Sequence, residues 1–287
     1  MTDPIRPCRS ALFLPASNPR AIEKARGLPC DAVILDLEDA VAPNVKAAAR
    51  AAAVAAFTGG GFGGRLTVLR VNALDTPWGA DDLKATAGLA VDAVLAPKVA
   101  TAADVARYRE RLAGQPLWVM IETCRALANL QAIADAVGAG GGMVIGTNDL
   151  ALEMRCAGRA PLVPVLTLAV AAARASGLVA LDGVRNDFRD LDALRAEAEQ
   201  GRDMGFDGKT LIHPAQIEPC NAAFTPSAEQ VARADAIVAA FAAPEHVGRG
   251  AIQIDGRMVE RLHLAEAQRT LALCAAANRG YDPAQIG

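Results

Sequence analysis

Glu122 and Asp149 are the first residues whose types and placing suggest chemistry, since each follows an apolar run, LWVMI before Glu122 and MVIGTN before Asp149. Two carboxylates delivered from neighbouring strands to one end of a parallel sheet suit a hard divalent cation such as Mg²⁺, with water and substrate oxygens completing its shell. Either residue alone would serve equally well as a cap of the helix that follows, and it is the pair that favours a metal. Arg70 closes the run LTVLRVN. A guanidinium there can hold a carboxylate or a developing enolate oxygen, or pair with Asp36 or Glu38. In ILDLEDAV the period-two alternation puts Asp36 and Glu38 on one face, where they are expected to orient Arg70 or metal-bound water. Asp39 is expected to cap or to lie at the surface. His213, in TLIHPAQ, ends the last apolar run and is expected to line the pocket. No GxSxG, HExxH or Walker pattern occurs, and His213, His246 and His263 lack zinc spacing.

These residues need a frame that brings strand ends together. Short apolar, often β-branched segments recur at 11–14, 32–37, 66–71, 93–96, 117–121, 143–146, 179–184 and 210–213. Segments of helical period lie between them at 19–26, 46–57, 102–112, 127–137, 162–176 and 191–204. Apolar strands alternating with helices predict a parallel sheet covered on both faces. Eight such units predict a closed (β/α)8 TIM barrel, with an open doubly wound sheet as the alternative. The strand ends decide between them. They deliver Pro15, Asp36 and Glu38, Arg70 and Asn72, Pro97 and Lys98, Glu122, Asp149, Asp182 and His213. A barrel gathers chemistry from nearly every strand in this way, whereas an open sheet focuses it at one switch point. Beyond His213 the pattern predicts a helix at 226–242 with Ser227 as N-cap, a hairpin at Asp255-Gly256, and a last helix at 265–278 closed by Gly280. The expected division is a catalytic barrel over 1–224 and a helical and hairpin extension over 225–287, the latter too small for a core of its own.

Composition agrees with an enzyme of this size. Of 287 residues, 52% are hydrophobic and 21% charged, while aromatics make up only 4%, so the core must be built from Ala, Val, Leu and Ile. A net charge of −3 with no long basic run argues against nucleic acid as a partner. The N-terminus lacks the apolar core of a secretory signal, and the longest apolar stretch, 162–173, is too short for a bilayer and contains Pro164. A soluble cytoplasmic protein with no membrane partner is expected. Its six scattered cysteines are read as free thiols, since no CxxC pair or metal-ligand spacing occurs.

Taken in order, RSALFLPASNPRAIEKA, VILDLEDAV, LRVNALDTPWGADDL, VLAPKV, MIET, GFDGKTLIHPAQI and DGRMVE resemble the citrate lyase β-subunit-like and malyl-CoA lyase group of the HpcH/HpaI aldolase superfamily. The likeness runs over about 9–279. It implies a Mg²⁺-dependent barrel, trimeric or hexameric, that acts on a coenzyme A thioester. The implied reaction cleaves a malyl-, citramalyl- or citryl-CoA-like 3-hydroxyacyl-CoA into acetyl-CoA or propionyl-CoA and a 2-oxoacid. The resemblance leaves two alternatives: a malyl-CoA-type thioesterase, or the β subunit of a citrate lyase complex working on an acyl carrier protein. By motif position, Glu122 and Asp149 match metal ligands, with Glu122 also beside the substrate. Arg70 matches a substrate-contacting arginine, Phe13 and Lys24 match contacts to the CoA portion, and Ile212 and His213 match a substrate-lining pair. The family's acid/base aspartate, often reaching a neighbouring subunit's site, is replaced by Glu260, one methylene longer. An acidic residue that often precedes the second metal ligand is Asn148 here, and Asn18 stands where an arginine is frequent.

Overall fold

The computed structural model describes residues 6–279. Eight parallel strands close on themselves in sequence order, β1 Ser10–Pro15, β2 Ala32–Asp36, β3 Leu66–Arg70, β4 Ala93–Ala96, β5 Leu117–Ile121, β6 Gly142–Ile145, β7 Val179–Asp182 and β8 Gly208–Leu211. Pairing of β8 with β1 through Ala11 and Thr210 completes the ring. The (β/α)8 barrel is therefore the fold.

Helices α1 Pro19–Ala25, α2 Lys46–Gly59, α3 Gly79–Thr86, α4 Ala102–Arg109, α5 Cys124–Leu127, α6 Leu130–Val137, α7 Thr147–Met154, α8 Val163–Ala175, α9 Leu191–Met204 and α10 Ile217–Phe224 fill the connections. Successive strand side chains point alternately inward and outward, so two apolar layers arise from one set of strands. Ala11, Ile34, Val68, Leu95, Trp118, Met120, Val144 and Leu181 fill the inside. Leu12, Val33, Leu35, Leu69, Val94, Val119 and Ile145 face outward into the layer shared with the helices. Truncating a fully buried residue such as Ile34 to Ala would cost about 2–5 kcal/mol. Gly142 is needed beside Trp118, because a Cβ there would lie 2.8 Å from the indole.

The elements differ from the sequence expectation in instructive ways. The helix expected over 127–137 is broken at Asn129, whose Nδ2 donates to the carbonyls of Ala100 and Arg125. Three short helices, α3, α7 and α10, lie where the sequence shows no long apolar period. The last strand ends at Leu211, so Ile212 and His213 belong to the connection after it. No helix among the described residues is long and apolar enough to cross a membrane.

The barrel unit spans Cys8–Phe224, and a second unit begins at Thr225. It contains helix α11 Ala228–Ala242, hairpin strands β9 Ala251–Ile254 and β10 Arg257–Glu260, and helix α12 Arg261–Arg279. Ser227 caps α11 as expected, and Asp255 and Gly256 both take positive φ, 48° and 77°, at the hairpin turn. Contrary to expectation, this segment does bury a small core of its own, from Ala234, Ile237, Phe241, Ile252, Val259 and Ala267. The helix expected at 265–278 begins earlier, at Arg261, and Gly280 lies outside the described residues.

Candidate active site

The C-terminal ends of β2 and β3 carry the first part of the site. Asp36 and Arg70 are register partners on adjacent strands, both ending a buried run. The guanidinium donates from Nε to Asp36 Oδ1 at 2.7 Å and from Nη2 to Oδ2 at 2.6 Å, a bidentate pair. Its Nη1 lies 2.7 Å from Glu38 Oε2 and 3.6 Å from Asp39. The Phe13 ring of β1 lies beneath, 5.0 Å from the guanidinium carbon. Asp36 also accepts the backbone N–H groups of Glu38 and Ala40, so every part of it is engaged.

This cluster sets its own charges. Burial works to lower the Arg70 pKa, but the Asp36 hydrogen bonds and nearby carboxylates outweigh it and raise it. One guanidinium cannot neutralise all the carboxylates around it, and Glu38 is the one left over. Burial pushes its carboxyl up to about 8, with Glu122 and Asp39 adding to the shift and Arg70 opposing it. Its loop is pinned by the buried Lys46, whose ammonium donates to the carbonyls of Leu37 and Glu38 and to Asn72. Asn72 is thereby turned into a structural network with Asp82, not into the mouth.

The second part comes from β4, β5 and α7. Glu122 directly follows β5 and is 1% exposed. Its Oε1 accepts the Lys98 backbone N–H at 2.6 Å, whereas Oε2 is buried without a hydrogen-bond partner. Close approach of the β6 end makes this possible. A Cβ on Gly146 would lie 2.5 Å from Glu122 Cβ and 2.8 Å from Oε2. Asp149 sits in the first turn of α7, four residues past β6. Between the carboxylates stands Lys98, in a left-handed conformation with φ 53°. Its Nζ is 2.6 Å from Asp149 Oδ1 and 3.6 Å from Glu122 Oε1. Burial raises the Glu122 pKa, with Lys98 pulling down and Asp149 pushing up. Burial likewise acts to lower the Lys98 pKa, but these two acids prevail and raise it.

Glu122 keeps a buried carboxylate oxygen without a partner, and Asp149 lies across the Lys98 ammonium from it, a donor set that suits a cation. Among the described residues no group of three His, Cys, Asp or Glu side chains gathers to hold a metal. Glu122 and Asp149 would offer a hard divalent ion two oxygen ligands and leave its other positions open.

The remaining candidates lie on other elements of the barrel and in the second unit. His213 stacks on Phe188 with ring centroids 4.5 Å apart and planes at 19°, and Arg189 lies over the other ring. His213 Nδ1 accepts the Ala215 N–H at 3.1 Å, which leaves Nε2 as the protonated nitrogen of the neutral ring. Ile212 is 40% exposed beside it. Asn148 pairs with Asn186 across the β6 and β7 ends. Lys24 is exposed on α1, and none of the described hydrogen bonds or ion pairs joins it to the carboxylates. Glu260 lies in the second unit, where it closes β10 and precedes α12, its N–H donated to His263 Nδ1 at 2.9 Å. After Asn72, a second strand-end residue is not in the mouth. Asp182 is fully buried and turned outward, paired with Arg159 at 2.9 Å and Lys209 at 3.0 Å. The sequence reading gave no role to Lys98, Gly146 or Phe188, although the strand-end positions of Lys98 and Gly146 were the available signal.

Comparison with known proteins agrees with this geometry. A family model described as HpcH/HpaI aldolase/citrate lyase matches residues 9–214. A (3S)-malyl-CoA thioesterase of Cereibacter sphaeroides is 48% identical over 275 residues, 95% of this chain and 96% of that protein. An L-malyl-CoA/beta-methylmalyl-CoA lyase of the same species is 34% identical over 298 residues, covering 92% and 94%. Among solved structures, the protein CitE from Mycobacterium tuberculosis, in complex with magnesium, acetoacetate and coenzyme A, is 33% identical with a TM-score of 0.77, covering 94% of this chain and 100% of that one.

Proposed function

The chain belongs to the HpcH/HpaI aldolase/citrate lyase family, and from that premise we propose that it is a Mg²⁺-dependent thioesterase that hydrolyses a malyl-CoA-like 3-hydroxyacyl-CoA. The observation that carries hydrolysis over carbon–carbon cleavage is the 48% identity, over nearly the whole of both chains, to a malyl-CoA thioesterase, against 34% to a malyl-CoA lyase. The lyase reaction expected from the sequence is the second reading, favoured by the family's other members and by the retention of Arg70, Glu122 and Asp149.

In this reading Glu122 and Asp149 hold Mg²⁺, consistent with the magnesium in the CitE complex. The ion would supply Lewis-acid polarisation of substrate oxygens. Arg70, kept rigid by Asp36, binds anionic oxygen of the substrate from a nearly dry position. Glu38 sits 2.7 Å from the Arg70 Nη1, its own carboxyl pushed up by burial. Ile212 and His213 line the substrate's path, and Phe13 and Lys24 meet the CoA portion. Glu260 serves as the base that removes a proton from the attacking water, its extra methylene placing the carboxylate further out than the family's aspartate would be. We assign catalysis to a barrel over 1–224 and the Glu260 function to the extension over 225–287, within a homotrimer or homohexamer.

The test is an assay of the purified protein with malyl-CoA and Mg²⁺, following free thiol and 2-oxoacid separately. Stoichiometric free CoA and malate, abolished by EDTA, is the expected result. Glyoxylate with acetyl-CoA and no free thiol would establish the lyase and overturn hydrolysis.

A further inference from the structure

We propose that Lys98 is a resident counter-cation of the metal site: its ammonium neutralises Asp149 and Glu122, is displaced when a divalent ion binds, and then receives the anionic end of the substrate. This rests on the reading of Glu122 and Asp149 as the metal ligands. Three observations carry it.

The first is position. Nζ stands 2.6 Å from Asp149 and 3.6 Å from Glu122, in the gap between the two carboxylates. A divalent ion must approach the same oxygens to about 2.0–2.1 Å for Mg²⁺, so ion and ammonium exclude one another by both space and charge. The second is anchorage. The Lys98 backbone N–H donates to Glu122 Oε1 at 2.6 Å, so the main chain stays fastened to the site whichever way the side chain points. Lysine takes a φ of 53° at a conformational cost, and here it aims one residue at both acids. The third is freedom. The Lys98 side chain is 36% exposed on a long flexible stem, whereas Glu122 is 1% exposed and Asp149, though 40% exposed, is a short side chain fixed in the first turn of α7. The lysine is therefore the partner that yields.

A displaced ammonium at the mouth remains a positive charge no longer paired with Asp149. An anionic hydroxyacid arriving there completes the exchange. Metal and substrate then bind with positive coupling, because each relieves the charge that the other's arrival leaves behind.

The measurement is calorimetric titration of Mn²⁺ into metal-stripped wild type, Lys98→Met and Lys98→Gly. L-malate is then titrated into each Mn²⁺-loaded protein. Glycine accepts the positive φ without strain, so it guards against a folding defect in the methionine variant, which thermal melts would reveal. Both variants are expected to bind Mn²⁺ about tenfold more tightly and L-malate about tenfold more weakly than wild type. Unchanged or weaker Mn²⁺ binding in the variants would overturn the displacement. Malate affinity that holds steady or rises would overturn the transfer to substrate. If wild type takes up no Mn²⁺ at all, the metal-ligand reading of Glu122 and Asp149 fails, and this proposal with it.

Discussion

Arg70 and Asp36 face each other across neighbouring strands, the guanidinium donating two hydrogen bonds to the carboxylate at 2.7 and 2.6 Å, with both side chains almost wholly buried. The geometry makes Asp36 a positioning residue for the guanidinium. Asp36→Asn leaves Arg70 charged and half-held, which should destabilise the fold by about 3 kcal/mol and depress kcat more than KM. Arg70→Lys should fare little better, because an ammonium cannot reproduce the fork. Chemical denaturation together with steady-state kinetics reads both effects. Full activity in Asp36→Asn would remove the positioning role.

Gly146 tests the contact between the β6 end and Glu122. With a methyl group at 2.5 Å from Glu122 Cβ, Gly146→Ala must push the carboxylate away from its present place. The expected outcome is at least tenfold weaker Mn²⁺ binding, together with overpacking of about 1–3 kcal/mol. Calorimetry measures the first and thermal unfolding the second. An unchanged Mn²⁺ affinity would mean that Glu122 is not a ligand.

Glu38 predicts a pH dependence of stability in the metal-free protein. Below its ordinary value of 4.5, Glu38 holds a proton whether the chain is folded or not. Between 4.5 and about 8 only the folded chain keeps it, so folding takes up a proton and stability falls as pH rises through that window. Glu38→Gln removes this contribution. The melting temperature of the variant, relative to wild type, should therefore climb steadily from pH 5 to pH 8. A flat difference would show that Glu38 is ionised throughout.

Glu260 can be separated from the metal centre. Glu260→Gln should lower kcat by about 10²–10⁴-fold with Mn²⁺ affinity unchanged, as removal of a general base requires. Loss of metal binding instead would place Glu260 among the ligands, and unaltered kcat would exclude it from proton transfer.

Much of this was legible in the sequence, for identifiable reasons. Strands buried on both faces give short, unbroken apolar runs, and all eight stand out even in an Ala-rich chain. Asp36, Glu38, Arg70 and Glu122 could be placed because the period-two pattern fixes which side chains a strand end delivers. The pattern stops where the strand does. Asp182 looked equivalent to Asp36, yet it sits one step out of phase and faces Arg159 and Lys209. Asn72 was drawn off by Lys46 and Asp82, partners 26 and 10 residues away, which no local signal links. Lys98 was visible as a strand-end residue, but its role depends on a left-handed backbone that a lysine in sequence does not announce. The extension's small core escaped because its contacts join α11 to the hairpin and α12 across a turn-rich stretch.

The outward turn of Asp182 leaves the barrel mouth with a direction. From β2 round to α7 the rim is ionic, with Asp36, Glu38, Arg70, Lys98, Glu122 and Asp149 in sequence. From β7 round through β8 it offers the stacked Phe188 and His213, with Arg189 over Phe188, and exposed Ile212. A molecule with a charged head and a long, weakly polar arm has one orientation that satisfies both halves. Such a rim would act as a compass for its ligand before any bond is broken, so that reversing a substrate end for end is refused by the barrel's own polarity.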